Sequence, residues 1–256
     1  LAAAELKVNQ LHLGIHGPAE PDEQAWCEDA PGGLQALGQR LAEALAKSTA
    51  TTIGLSLPLD CPCLDIAVLK AVGPRLQSLT EVTWRSKGST TTSMLSLLSQ
   101  VPESCGSLQV LSISHWEQID PGVLAVVAAA CPNLEHLHLN ADSHNFQKAP
   151  IDDGVAALGR HCLKLVDVDL YDRKMDNAAS VLAQACKGWP KLRFLCAANT
   201  TQGLAWNEAD PELILPRSLA AHCPDLREVV LYDDALASWR DVLKEGCPFL
   251  QDDEDD

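Results

Sequence analysis

The chain has 256 residues, 46% of them hydrophobic, enough to bury a substantial core and to exclude disorder as its main state. Its 19 Lys and Arg against 35 Asp and Glu leave a net charge of −16, which opposes binding to nucleic acid or to an anionic membrane surface. Aromatic residues make up only 4%, so Leu, Val, Ile, Ala and Cys must fill the interior.

From the N-terminus, short apolar alternations follow one another along the chain. They are Val8, Leu11, Leu13; Ile53, Leu55; Leu79, Val82, Trp84; Leu108, Leu111, Ile113; Leu134, Leu137, Leu139; Leu165, Val168, Leu170; Leu192, Leu195, Ala197; and Leu226, Val229, Leu231. The clearest repeat aligns Cys131-Pro-Asn-Leu134-Glu-His-Leu137-His-Leu139 with Cys223-Pro-Asp-Leu226-Arg-Glu-Val229-Val-Leu231. In one frame the copies centre on Leu11, Ile53, Val82, Leu111, Leu137, Val168, Leu195 and Val229, and after a first interval of 42 residues the spacing stays between 26 and 34. Residues two apart in a strand face the same side, so each copy predicts a short strand with one buried face. Between strands the period changes: Met94, Leu97, Leu98, Val101, then Leu124, Val127, Ala128, Cys131, then Ala179, Leu182, Ala183, Cys186 follow helical spacing. Asp120-Pro121 and Asp210-Pro211 predict helix starts, each with an N-cap carboxylate before a proline preset for the first turn. Pro132, Pro224 and Pro248, each just after a cysteine, predict helix ends.

Strands joined by crossover helices at this spacing predict an α/β fold with a parallel sheet, its layers stacked into a curved solenoid with strands inside and helices outside. The chain resembles the leucine-rich repeat superfamily over Leu1 to Leu250. Gly33-Leu-Gln-Ala-Leu-Gly-Gln-Arg-Leu-Ala-Glu-Ala-Leu45, leading to Ile53-Gly-Leu55, is similar to the ribonuclease-inhibitor-like class. Ile151-Asp-Asp-Gly-Val-Ala-Ala-Leu-Gly-Arg-His-Cys162 and the Cys-Pro-x-Leu units are similar to the cysteine-containing class of F-box substrate receptors. The resemblance implies a horseshoe of about eight repeats in a single domain, residues 1–250. The family's polar Asn or Cys after the strand is missing at most copies, so irregular turns are expected there.

Two insertions and a tail interrupt the pattern. Residues 16–33 form an acidic surface loop with Glu20, Asp22, Glu23, Glu28 and Asp29, and residues 199–216 form a second loop in which Trp206 is either a partner contact or a lid over the core end. Val242, Leu243, Cys247, Pro248 and Leu250 repeat the helix end of a unit as a partial cap, before the acidic tail, residues 251–256. Leu1 to Gln10 lacks the regions of a signal peptide, and no apolar run approaches the roughly 20 residues of a spanning helix. A cytoplasmic protein with no membrane insertion is expected. The first residue is Leu rather than Met, so an upstream targeting segment, and with it an organelle, stays open.

Ten cysteines suggest disulfides or zinc, yet Cys105, Cys131, Cys162 and Cys223 each lie six residues before the centre of their strand, so burial as thiols explains them. Cys61-Pro-Cys63 has no second pair to complete a zinc site. His161-Cys162 and His222-Cys223 are adjacent helix residues that cannot face each other as base and nucleophile, and no nucleotide or hydrolase motif is present. No catalytic site, cofactor or metal is expected. The informative residues stand on the solvent side of the strands: Glu81, Thr83, Arg85; Val110, Ser112, Ser114; His136, His138, Asn140; Asp167, Asp169, Tyr171; Phe194, Cys196, Ala198; Glu228, Val230, Tyr232. His136 is expected beside Asp167 and His138 beside Asp169, as cross-strand pairs rather than metal ligands. Arg85, His136, His138, Asp167, Asp169, Tyr171, Glu228 and Tyr232 on this concave face, with Trp206 from the loop, predict a surface for a basic protein partner. The reading is a noncatalytic interaction module, a scaffold or a subunit of a larger assembly. Two alternatives follow from the resemblance: the substrate-recognition subunit of a ubiquitin ligase, whose F-box would lie upstream or on another chain, and an acidic enzyme inhibitor or GTPase-activating regulator.

Overall fold

Each apolar alternation forms a strand in the computed structural model, which describes residues 10–14, 43, 52–57, 79–86, 105–114, 121–140, 150–200, 210, 212–231 and 235–251. The strands are β1 (Gln10–Gly14), β2 (Thr52–Leu57), β3 (Glu81–Ser86), β4 (Val110–Ser114), β5 (His136–Leu139), β6 (Asp167–Asp169), β7 (Phe194–Cys196) and β8 (Glu228–Val230). They pair in parallel, in chain order, as one eight-stranded sheet. Leu11, Ile53, Val82, Leu111, Leu137, Val168, Leu195 and Val229 lie side by side across it, in the frame that the sequence predicts.

Five helices stand among the described residues: α1 (Pro121–Ala130), α2 (Asp152–His161), α3 (Ala178–Cys186), α4 (Ile214–His222) and α5 (Ala235–Gly246). Their apolar stripes, including Leu124, Val127 and Ala128 of α1 and Leu182 and Ala183 of α3, join the inward strand residues in one buried cluster. The helices α1, α4 and α5 end just before Cys131-Pro132, Cys223-Pro224 and Cys247-Pro248, as expected. After α5 the chain turns at Cys247 and Leu250, and the Gln251 N–H donates to the Arg227 carbonyl at 2.7 Å, closing the stack as a partial unit. Among the described residues no helix is long and apolar enough to cross a membrane.

The buried cysteines also bond between units. Cys162 Sγ donates to the carbonyls of Ala128 and Cys131 at 3.4 Å each, Cys223 Sγ to those of Cys186 (3.7 Å) and Trp189 (3.5 Å), and Cys247 Sγ to those of Leu219 (3.8 Å) and Cys223 (3.4 Å). These carbonyls lie in the last turn of a helix or in the turn just after it, and a thiol from the following unit supplies a weak donor to a second lone pair at the cost of little volume. All seven described cysteines are free and buried. Burial pushes the Cys162 thiol up to about 12, which keeps it protonated as a donor. In the β7 unit Trp189, fully buried, takes the register place of the cysteine.

Helix α1 starts at Pro121, as predicted, but the start of α4 corrects the sequence reading. Residue 213, not 210, occupies the N-cap: Leu213 is left-handed there (φ 54°) and offers no side-chain cap. Asp210 caps from further back, its buried carboxylate accepting the N–H of Ile214 at 2.7 Å and of Leu215 at 2.8 Å. The loop insertion 199–216 therefore ends before Ile214, and Pro216 sits in the first helical turn, where a missing N–H costs nothing. The acidic insertion 16–33 and residues 252–256 lie outside the described residues.

The turns after β6 and β7 are regular, against expectation. Asp172 and Asn199 occupy equivalent places four residues past the strand centres and are both left-handed, at φ 56° and 58°. Both residue types tolerate that conformation, so no Asn ladder is needed for the chain to turn. The loops stack through Leu170 N–H to Cys196 O (2.9 Å), Asp172 N–H to Ala198 O (2.9 Å) and Met175 N–H to Thr200 O (3.0 Å). Asp152 ties the next step, its two carboxylate oxygens accepting the N–H groups of Asp176 (3.0 Å) and Asn177 (2.9 Å) at the start of α3.

Candidate functional site

With Leu137, Val168 and Leu195 turned toward the helices, the residues on either side of each point to the opposite face of the sheet. One row across that face runs Glu81, Val110, His136, Asp167, Phe194, Glu228, and the next runs Thr83, Ser112, His138, Asp169, Cys196, Val230. The middle of these rows concentrates charge and aromatic surface.

Backbone register sets His136 opposite Asp167 and His138 opposite Asp169, as the sequence predicts. The side chains choose otherwise. His136 Nδ1 lies 3.5 Å and His138 Nε2 3.2 Å from the same oxygen, Asp167 Oδ2. The expected His138–Asp169 contact is therefore corrected to a diagonal one. Asp169 turns away because its Oδ1 accepts the Tyr171 N–H at 2.9 Å, a local turn bond that holds the carboxylate at the strand end. The hydrogen bond to Asp167, with the charges of Asp167 and Asp169, raises the His138 pKa above its usual value against the opposing effect of burial. At Asp167, burial works to raise the carboxyl pKa, but bonds and charges from His138 and then His136 outweigh it, and the pKa falls below the ordinary carboxylate value. Asp167 Oδ1 is buried with no hydrogen-bond partner among the described residues.

On the other side of Asp167 stands Phe194, half-buried, and beyond it Glu228, exposed. Cys196 and Ala198, expected on the exposed face, are buried instead. The Cys196 thiol is pushed up to about 12, first by burial and then by the Asp169 carboxylate, to which it is hydrogen-bonded, and by Glu228. Those two acids thus converge on the strand that carries Phe194.

Arg173, a residue that sequence reading passed over as loop, is buried behind the strand ends. Its Nε donates to the Leu139 carbonyl at 2.8 Å. Burial pushes its pKa down to about 9 while Asp172 and Asp169 pull it up, so it remains charged at neutral pH. No sequence signal marked it, because Asp-Arg-Lys reads as a solvated turn.

Of the other expected site residues, Tyr171 lies in the turn after β6, half-buried rather than on the strand, and Arg85 lies on β3 opposite Ser114 with its side chain outside the description. Tyr232 and Trp206 lie outside the described residues. Among the described residues no group of three His, Cys, Asp or Glu side chains is arranged to hold a metal. No protein-family model matches the chain, and no curated protein matches it. Function is therefore read from this surface itself.

Proposed function

We propose that this chain is a noncatalytic protein-interaction module, a leucine-rich repeat horseshoe of about eight repeats that serves as a scaffold or subunit of a larger assembly. Its concave sheet face holds a basic segment of a protein partner. The observation that carries this reading is the placing of Asp167 and Glu228 on the two sides of Phe194, with Asp169 one row away. Adjacent strands lie about 4.8 Å apart, so a guanidinium or ammonium group above the Phe194 ring reaches a carboxylate on either side while it gains cation–π attraction. The net charge of −16 adds long-range attraction for such a segment and raises its association rate.

Affinity purification followed by identification of the bound chains tests the reading, with the double variant Asp167→Lys and Asp169→Lys beside the wild type. Val168 and Leu170 keep their inward contacts in that variant, and circular dichroism checks that it stays folded without the turn bond from the Tyr171 N–H to Asp169. The partner should bind at least about tenfold more weakly, the loss expected when charge is reversed at the centre of a contact. Undiminished affinity in the folded variant would move the binding surface to the helices or a rim.

A further inference from the structure

We propose that His136, Asp167 and His138 make the partner-binding face proton-gated: neutral imidazoles leave the face acidic and open to a cationic segment, and protonated ones cancel most of that charge from within. The inference rests on the reading of this face as a surface for a basic partner.

The geometry carries it. Two imidazoles from one strand converge on one oxygen of a carboxylate in the next, at 3.5 Å and 3.2 Å, and both rings remain partly exposed to solvent protons. Among the described residues the two rows around the cluster carry no lysine or arginine. Strand β4 faces the cluster with Val110 and Ser112, and β7 with Phe194 and Cys196, whose thiol stays protonated well above neutral pH. The charged groups among the described residues are Glu81 two strands from His136 on β3, Asp169 on β6, Glu228 two strands from Asp167 on β8, and buried Arg173, whose charge does not change below its lowered value of about 9. Imidazole is the side chain that ordinarily changes charge between mildly acidic and neutral pH, and among the described residues of these two rows from β3 to β8 it occurs at His136 and His138. With both rings neutral, the face around Phe194 presents three carboxylates. With both protonated, two of those charges are cancelled at the place where the cation would sit.

The same contacts work in reverse. A partner cation drawn to Asp167 takes over the carboxylate that holds the proton on His138, so binding expels a proton. Each proton released makes affinity rise with pH by up to about tenfold per unit across the imidazole range.

The test uses the full chain and a fluorescent hexa-arginine peptide, with binding followed by anisotropy at constant ionic strength at about pH 8 and about pH 5.5, above the range in which free carboxylates titrate. The wild type should lose tenfold or more in affinity on acidification, and the double variant His136→Gln and His138→Gln less than about twofold. Equal affinity of the wild type at the two pH values, or the full loss retained in the double variant, overturns the gate alone. Failure of the peptide to bind at about pH 8 instead overturns the reading of the face. NMR titration of the imidazoles, without any ligand, gives an independent arm: the midpoint of His138 should lie above that of an ordinary histidine and fall toward it in Asp167→Asn. A midpoint unmoved by that substitution overturns the gate.

Discussion

Gly159→Ala sets two local effects against each other, and the structure decides the sign. Replacing a helix glycine by alanine removes backbone freedom from the unfolded chain and stabilises a helix by up to about 1 kcal/mol. At Gly159 in α2, however, an added Cβ would lie 2.5 Å from Ala185 Cα and 3.0 Å from both Cβ and O of Ala185 in α3. Carbon atoms in contact prefer about 3.5–4.0 Å, so the helices would have to part by about 1 Å. The obstacle is backbone, which cannot rotate aside, and the Ser218 hydroxyl ties α3 to α4 by donating to the Ala183 carbonyl at 2.6 Å. Overpacking of this kind costs about 3 kcal/mol, leaving a net loss of about 2 kcal/mol. Gly154→Ala should lose less, because its neighbour at 2.6 Å is the Leu124 side chain, part of which can shift. Gly106→Ala meets nothing within 4 Å and should be neutral or slightly stabilising. Urea denaturation of the three variants, followed by circular dichroism and by tryptophan fluorescence, orders them. A Gly159→Ala protein as stable as the wild type would show that helix spacing adjusts freely and that the glycine is not required for the close approach.

Asp210→Ala removes the acceptor of two helix N–H groups and should cost about 2–3 kcal/mol, with Asp210→Asn losing less because one acceptor remains; equal thermal midpoints for Ala and wild type would refute the distant cap. Alkylating the denatured, unreduced protein should label all 10 cysteines, since the seven described are free, buried thiols, and Cys162, Cys223 and Cys247 donate to the preceding unit. Fewer labels, with recovery after reductant, would refute this and indicate an oxidising compartment.

The strands were legible because period-two apolar alternation is imposed by the backbone itself, and the frame through Leu137 and Val168 survives as pairing register. Choices between neighbouring side chains were not. Whether His138 turns to Asp169 or to Asp167 depends on the Tyr171 N–H, which engages Asp169 only after the turn beyond β6 has formed. The raised pKa of Cys196 depends likewise on Asp169 and Glu228 of the flanking strands, which no single-strand pattern reveals. The regular turns did leave a signal, Asp172 and Asn199 at equivalent places, but it lay in left-handed conformation rather than in a repeated residue type. Pro216 misled because a proline reads as loop, although the first turn of a helix accepts it.

The spatial order of the strands equals their order along the chain, so every strand-to-strand contact closes a loop of only one unit. Among the described strands no pairing skips a unit, so none has to wait for a distant one to form, and folding can begin at any well-packed pair and spread to both sides. Under tension the same connectivity acts in series: a pull on the two ends loads the outermost pairing first, and the units come away singly, each at its own force.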